Sequence, residues 1–299
     1  MTDGLVVVDK PCGMTSHDVV ARCRKIFGQR RVGHAGTLDP DATGVLLVGL
    51  GQATRLLQFV SEGSKSYRGE IVLGVATTTL DASGDPTGRS DMRAVTLADA
   101  RQAAEKLTGR IEQVPPMVSA IKVGGRRLHE LAREGVEVAR PSRAVTVSRF
   151  DLEMAADQDP GPLGGGPVLA ASVECSAGTY IRALAADLGA LLGGGAHLRR
   201  LRRTSVGPWT VADAVALEDL GPDSVLPPAS ALADRPAVTV DGDLAAAVSH
   251  GQVLERSRLG AAGEGPWPVL DRSGVLLAVY AGHGPGRAKP LVVLSQTAR

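Results

Sequence analysis

One short segment, residues 33–44, carries the side chains best suited to chemistry. It reads Gly-His-Ala-Gly-Thr-Leu-Asp-Pro-Asp-Ala-Thr-Gly. Asp39 supplies a carboxylate, which can act as a nucleophile or as a base. His34 adds an imidazole and Thr37 a hydroxyl, and the glycines let the backbone approach a partner closely. On these residues alone, a catalytic loop and an ordinary Asp-Pro turn both remain open.

The same segment does not match the common nucleotide or metal motifs. It does not end in the Gly-Lys-Ser/Thr of a phosphate-binding loop, and the Gly49–Gly51 step lacks the third glycine of a dinucleotide fingerprint because residue 54 is threonine. The His129-Glu130 pair is not followed by the second histidine of a zinc-protease motif. We therefore expect no cofactor and no metal.

The elements around this segment predict how it is held. Apolar runs at residues 5–8 and 45–50 predict two buried strands on either side of it. A helix is expected to begin with Ser16 as its N-cap and to bury one apolar face. The face consists of Val19, Val20, Cys23 and Phe27.

The rest of the first 230 residues mixes strand and helix patterns without regular alternation, which favours an α+β fold over a doubly wound sheet. Thr96 is predicted to cap a helix, and turn-forming residues predict a loop over 77–93. The expected strands are 67–75, 118–123, 144–154 and 168–175, and the expected helices are 96–107, 128–133 and 179–192.

Prolines and glycines cluster at residues 221–236 and predict a domain boundary there. Short strand patterns follow at 267–270, 275–280 and 291–294, and Pro268 should restrict the first to a sheet edge. We expect a large domain over residues 1–230 and a small β-rich domain over 231–299.

The overall charge conceals two basic clusters. The 299 residues include 33 basic and 32 acidic side chains, and only three Tyr, three Phe and two Trp, so the totals alone argue against a nucleic-acid binder. The basic residues nevertheless concentrate at 22–31 and 199–203, where they could bind a polyanion. An ordinary solvated helix face remains the alternative for the first cluster.

Other features concern the compartment. Three cysteines without a CxxC pair fit a reducing environment better than a disulfide scaffold. The apolar runs are too short to cross a bilayer, and the first residues lack the pattern of a signal peptide. We expect a cytoplasmic protein that does not contact a membrane.

Segment 33–44 strongly resembles the catalytic motif of the TruB-type tRNA pseudouridine synthases, Gly-His-x-Gly-x-Leu-Asp-Pro-x-Ala-x-Gly. Further segments resemble that family in the expected order over about residues 5–215. They are Val8-Asp9-Lys10-Pro11, Lys65-Ser66-Tyr67, Pro115–Ala120, Arg127–Gly135, Cys175–Arg182 and Leu198–Arg203.

The resemblance implies that the chain isomerises uridine-55 in the T loop of tRNA to pseudouridine. It implies a pseudouridine-synthase-like domain with a mixed, largely antiparallel sheet, and a PUA-like RNA-binding domain at the C-terminus. Asp39 matches the essential aspartate, and Arg182 the arginine that pairs with it. Tyr67 matches a catalytic residue that stacks on uracil and is implied to help remove its C5 proton, and His34 matches the residue that takes the place of the flipped base. The further residues implied to bind substrate are Thr37, Tyr180, Leu201, Lys10 and Arg202.

The resemblance also bears on partners. It implies a monomer that acts on the tRNA T stem-loop without a cofactor or an obligate protein partner. Two alternatives stay open: a tRNA-binding and folding protein whose catalysis is incidental, and a subunit of an RNA-guided pseudouridine synthase. The resemblance leaves open whether Asp39 forms a covalent intermediate or triggers formation of a glycal.

Overall fold

The computed structural model describes residues 2–119, 122–123, 125–127, 134, 136 and 138–295. The predicted helix at 128–133 lies outside the described residues. In chain order, the strands are β1 (Gly4–Lys10), β2 (Val32–Ala35), β3 (Thr43–Leu50), β4 (Lys65–Leu73), β5 (Val75–Thr77), β6 (Pro86–Arg89), β7 (Gly109–Gln113), β8 (Lys122–Val123), β9 (Arg126–Arg127), β10 (Arg143–Met154), β11 (Val168–Cys175), β12 (Ala196–Val206), β13 (Trp209–Thr210), β14 (Val215–Ala216), β15 (Val238–Thr239), β16 (Leu254–Glu255), β17 (Trp267–Leu270), β18 (Leu276–Gly282) and β19 (Arg287–Val293). The α-helices are α1 (Ser16–Ile26), α2 (Leu57–Ser61), α3 (Leu97–Glu105), α4 (Ile181–Leu191), α5 (Gly242–Ser249) and α6 (Arg256–Leu259).

The chain divides into two compact units. The first contains residues 1–63 and 206–299, and the second contains residues 64–205. Within the described residues, no helix is both long and apolar enough to cross a membrane.

In the first unit, β1 is central because it is apolar on both faces. It pairs antiparallel with β3 over its whole length and parallel with β14, and β3 also pairs antiparallel with β2. Every residue of β1 except Asp9 is buried. This arrangement places the segment 36–42 as the connection from β2 to β3.

The first unit also contains a separate five-stranded sheet in the order β15-β17-β18-β19-β16. One face of this sheet contributes Trp267, Ala278 and Tyr280 to an apolar core. Val279 lies between Ala278 and Tyr280 on the opposite face of β18, and it belongs to a second apolar cluster that includes Leu5. The β-rich texture expected after residue 231 is thus present. Because this sheet shares apolar contacts with the first strand of the chain, the boundary at 230–231 stays a prediction.

The second unit is built on a sheet in the order β12-β4-β11-β10-β7. The pairs β4–β11, β11–β10 and β10–β7 are all antiparallel. Because β1 and β14 are parallel while these pairs are antiparallel, the prediction of an α+β fold with mixed, largely antiparallel sheets is confirmed.

Three local predictions need correction. Thr15, not Ser16, caps α1, because its hydroxyl accepts from the Asp18 amide while its own amide donates to the Asp18 carboxylate. The expected loop 77–93 contains β6, which forms a hairpin with β5. Strand β17 is interior rather than at an edge; its pairing with β15 begins only at Val269, after Pro268.

Candidate active site

The connection between β2 and β3, residues 36–42, is named the aspartate loop. Gly36, at its start, has φ +72°, a left-handed conformation that costs a side chain free energy. Leu38 is buried and anchors the loop in the core, whereas Thr37 is exposed. Asp39 is half-buried. The loop therefore turns a hydroxyl and a carboxylate away from an apolar anchor.

The segment just before Asp39 is tied to helix α1 through Ser16. The Leu38 amide donates to the Ser16 hydroxyl oxygen at 2.9 Å, and that hydroxyl faces the Leu38 carbonyl oxygen at 3.2 Å. Ser16 and Leu38 are both buried, so water cannot readily replace these bonds. The serine that was expected to cap the helix instead fixes the aspartate loop.

The segment just after Asp39 is held by Lys10. Its buried ammonium donates to the carbonyl oxygens of Pro11, Met14 and Pro40 at 2.9, 2.6 and 2.9 Å. The Gly13 amide donates to the same Pro40 oxygen at 3.0 Å. Lys10 has no exposed surface. It therefore supports the loop, and its burial does not fit the direct contact with substrate that the sequence predicted.

His34 lies in β2, two residues before Gly36, the first residue of the aspartate loop. Its ring is half-buried and forms a T-shaped pair with the His17 ring from α1, with ring centroids 5.2 Å apart and planes at 84°. The His17 contact was not expected from the sequence. It joins an imidazole of the motif to the same helix that holds Leu38.

In the second unit, Tyr67 lies on β4 and is buried. Its hydroxyl is hydrogen-bonded to the Arg203 guanidinium, which has 1% of its surface exposed. Burial lowers the pKa of Arg203, and the contact with Tyr67 opposes that shift. The arginine fixes the position of the tyrosine ring from β12.

A second buried cation lies beside Arg203. Lys65 is on the same face of β4 as Tyr67, since the two are separated by one residue. Burial, assisted by the charge of Arg203, lowers the pKa of Lys65 to about 8. Burial also raises the pKa of the neighbouring Cys175 thiol to about 11. We name Lys65, Tyr67, Cys175 and Arg203 the tyrosine cluster.

The position of Leu201 depends on an irregularity in β12. Arg200 has φ +53°, which is unusual for a residue other than glycine. A Cβ added to Gly69 would lie 3.3 Å from Leu198 Cδ1 and 3.4 Å from Leu201 Cδ1. Both leucines therefore cover Gly69. Gly69 lies on the same face of β4 as Tyr67, two positions later in the sequence.

Arg182, on the first turn of α4, is 4% exposed. Its guanidinium donates to the carbonyl oxygens of Thr79 and Val118, both at 2.8 Å, and lies 3.5 Å from the Asp81 carboxylate. Asp81 was missed because it falls in a segment predicted only as a loop. The adjacent Leu80 has φ +64°, so this turn is held in a strained conformation.

Tyr180 precedes α4 and is half-buried. The Gln113 side chain forms two hydrogen bonds with the Tyr180 backbone. The Tyr180 amide donates to Gln113 Oε1 at 2.7 Å, and Gln113 Nε2 donates to the Tyr180 carbonyl oxygen at 3.1 Å. Gln113 is buried at the end of β7. The residue thereby sets the position from which α4 presents Arg182.

The basic cluster at 199–203 is not an open cationic surface. Arg199 pairs with Glu70 at 2.8 Å, and Arg200 pairs with Glu70 at 3.3 Å and Asp157 at 3.1 Å. Arg203 belongs to the tyrosine cluster, and Arg202 is half-buried. The cluster at 22–31 differs, because its five basic side chains are exposed.

The structure therefore arranges the predicted residues in two groups. The first unit holds Asp39, His34, Thr37 and Lys10, and the second unit holds Tyr67, Tyr180, Arg182, Leu201 and Arg202. The pairing of Asp39 with Arg182 stays a prediction.

Two family models match the chain in succession. Residues 24–181 match the TruB family pseudouridylate synthase N-terminal domain, and residues 182–226 match the tRNA pseudouridylate synthase B C-terminal domain. The first match contains the aspartate loop, Tyr67 and Tyr180. Arg182 is the first residue of the second match.

Three relatives match most or nearly all of this chain and a similar share of their own length. The tRNA pseudouridine synthase B of Symbiobacterium thermophilum is 51% identical over 83% of this chain and 82% of its own. That of Rhodococcus jostii is 46% identical over 99% of this chain and 95% of its own. That of Streptomyces coelicolor is 48% identical over 97% of both chains.

Solved structures show the same fold at lower identity. A chain of a Cbf5-Nop10-Gar1 complex is 27% identical with a TM-score of 0.70, and covers 98% of this chain and 84% of its own. A chain of an H/ACA RNP bound to a substrate RNA containing 2′-deoxyuridine is 25% identical with a TM-score of 0.69 and the same coverages.

Proposed function

The chain belongs to the TruB family of pseudouridylate synthases, and we propose that it isomerises uridine-55 in the T loop of tRNA to pseudouridine. The bond from uracil N1 to the ribose breaks, the base turns, and C5 bonds to the same ribose carbon while its proton leaves and N1 gains one. No atom is gained or lost, so the isomerisation needs no redox partner or group donor. The observation that carries the proposal is the fixed aspartate loop, which holds Asp39 half-exposed between two anchored neighbours.

Asp39 is the proposed catalytic carboxylate. It acts as the nucleophile at the ribose or as the base that triggers formation of a glycal. Arg182 is the proposed partner that keeps it ionised and oriented. The bonds from Arg182 to the carbonyls of Thr79 and Val118 support this role, because they fix the guanidinium in one position.

Tyr67, Tyr180 and Leu201 are proposed to enclose the extruded uracil. Two contacts support this assignment because they fix the tyrosines. Arg203 is hydrogen-bonded to the Tyr67 hydroxyl, and the Gln113 side chain is hydrogen-bonded to the Tyr180 backbone. Extrusion of a stacked base costs a few kcal/mol. His34 is proposed to offset that cost by occupying the vacated place in the T loop, and the exposed Thr37 to contact the RNA backbone.

The exposed basic cluster at 22–31 is proposed to contact tRNA phosphates, because these charges are accessible. Of the second cluster, only Arg202 is proposed to contact RNA. Residues 231–299 are proposed to form a PUA-like RNA-binding domain. The chain is proposed to act as a cytoplasmic monomer without a cofactor, a membrane or an obligate protein partner.

The test uses purified protein, an unmodified tRNA transcript and a short T stem-loop, with no added cofactor. Pseudouridine mapped at position 55, and lost in Asp39→Asn, is the expected result. Turnover by that variant at the wild-type rate would remove the catalytic role of Asp39.

The similarity to a chain of an H/ACA RNP and to a chain of a multi-protein complex favours one alternative, an RNA-guided subunit. Inactivity of the wild-type chain alone on both RNAs, with activity restored by partner proteins and a guide RNA, would establish that alternative. A tRNA-folding role instead predicts that Asp39→Asn rescues a deletion strain.

A further inference from the structure

Helix α1 contacts strand β2 along one line. His17 and Arg24 are seven residues apart, which is about two helical turns, so they lie on the same side of α1. Val32 and His34 are two residues apart and share a face of β2. Arg24 Nη2 donates to the Val32 carbonyl at 3.3 Å, and the ring of His17 meets the ring of His34. Each residue of the helix pair contacts one residue of the strand pair.

The ring contact has the geometry that orients a side chain. Centroids 5.2 Å apart and planes at 84° form an edge-to-face pair, in which the positive ring edge meets the negative ring face. A histidine side chain rotates about two bonds, and His34 is half-buried. The contact with His17 is therefore one of the contacts that limit the rotation of the His34 ring.

Formation of helix α1 does not require His17. Thr15 and Asp18 already form the complete capping box of α1, and Val19, Val20 and Cys23 provide the buried face. His17 itself is exposed on the first turn. Loss of its ring would therefore leave the helix intact while removing the contact with His34.

We propose that His17 is a positioning residue that holds the imidazole of His34 in the orientation required to enter the T loop when the target base leaves. This inference rests on the proposed function, in which His34 replaces the extruded base. It assigns to the first turn of α1 a part in base flipping that is separate from the phosphate contacts of the basic cluster.

The experiment is a double-mutant cycle on the full chain with a T stem-loop substrate. His17→Ala should reduce kcat/KM by roughly threefold to tenfold, which corresponds to the worth of one aromatic pair. The double variant with His34→Ala should be no slower than His34→Ala alone, because the contact exists in neither protein. His17→Phe keeps an aromatic edge and should restore kcat/KM to within about twofold of wild type. Glu105→Ala, an exposed change on α3, is the control for a nonspecific effect.

A second readout does not depend on activity. The proton resonances of the His34 ring should shift in His17→Ala and return towards their wild-type positions in His17→Phe. Wild-type activity in His17→Ala, or independent losses in the double variant, would overturn the proposal. An inactive wild-type chain would instead count against the proposed function, and the His34 resonances would still test the ring contact. If His17→Ala fails to fold, as judged by circular dichroism, equal activity of His17→Phe and a His17→Gln variant would overturn it.

Discussion

Leu198 and Leu201 cover the same side of Gly69, although residues three apart on a regular strand point to opposite sides. The left-handed conformation of Arg200 between them accounts for this, since one irregular residue shifts the alternation that follows it. The shift places Leu201 over β4 and lets Arg203 reach Tyr67. The wall proposed for the uracil pocket thus depends on one backbone irregularity.

The first prediction concerns Gly69. In Gly69→Ala the new methyl group would lie 3.3–3.4 Å from both leucine Cδ1 atoms, so the leucine ends must move by a few tenths of an ångström. We expect an almost unchanged Tm and a loss of roughly threefold to tenfold in kcat/KM, well short of the 10²-fold that a 1 Å misplacement can cost. Gly88→Ala is the control, because its Cβ would meet no atom within 4 Å. Equal kinetics for the two variants would contradict a role of Leu201 in the pocket.

The second prediction concerns the tie between α1 and the aspartate loop. Ser16→Ala leaves the buried Leu38 amide and carbonyl without the serine hydroxyl, and should lower the free energy of unfolding by about 1–3 kcal/mol. Because Asp39 follows Leu38, kcat should fall more than KM changes. Denaturant unfolding and steady-state kinetics measure both effects. Ser148→Ala removes a hydrogen bond at an exposed position and should change neither by a comparable amount.

The third prediction concerns the grip on Tyr180. Gln113→Leu keeps most of the side-chain volume but removes both bonds to the Tyr180 backbone. We expect a loss of about 1–3 kcal/mol in stability and a fall in kcat, because α4 then loses the anchor that precedes Arg182. Gln113→Glu keeps the acceptor but loses the donor, and should be at least as damaging since it buries a charge. A Gln113→Leu protein with wild-type stability and kcat would show that these two hydrogen bonds do not position Tyr180 and Arg182.

The fourth prediction concerns pH. The pKa of Lys65 is about 8 in the folded chain against 10.5 without its surroundings. As pH rises above 8, the folded state releases this proton while the unfolded state keeps it, so stability should increase by about 1 kcal/mol between pH 7 and pH 9. Lys65→Met should lack this increase. The measurement is the difference between wild type and variant, which cancels the other groups. The comparison stops at pH 9 because burial raises the pKa of the Cys23 and Cys175 thiols to about 11. Above pH 9 the unfolded chain loses these protons before the folded chain does, which lowers the stability. A parallel pH dependence in both proteins would contradict the burial of a cation at this position.

Local patterns were sufficient for several of the longer elements, whereas the candidate site residues came from the resemblance to the family and stay predictions. Alternation and helical periodicity predicted β1, β3, β10, β11 and α4 to within a few residues. The N-cap of α1 was misplaced by one position because Thr15 and Ser16 are both good caps. The acidic residue three positions after Thr15 is the local signal that decides between them.

The residues that position the site could not be found in this way. Gln113 is 67 residues from Tyr180, and Asp81 is about 100 residues from Arg182, so no local spacing connects them. Lys10 matched a family position but carries no local sign of burial, since a lysine is ordinarily exposed. Its three carbonyl acceptors come from two separate turns that only the fold brings together.

The anchors on both sides of Asp39 determine when the aspartate loop becomes ordered. Ser16 fixes Leu38 and Lys10 fixes Pro40, so the conformational entropy of the aspartate loop is lost as the chain folds. Little of that loss then remains for the encounter with tRNA, where ordering a loop would weaken binding. In the proposed function, more of the interaction energy with RNA is therefore available to draw one base out of its stack.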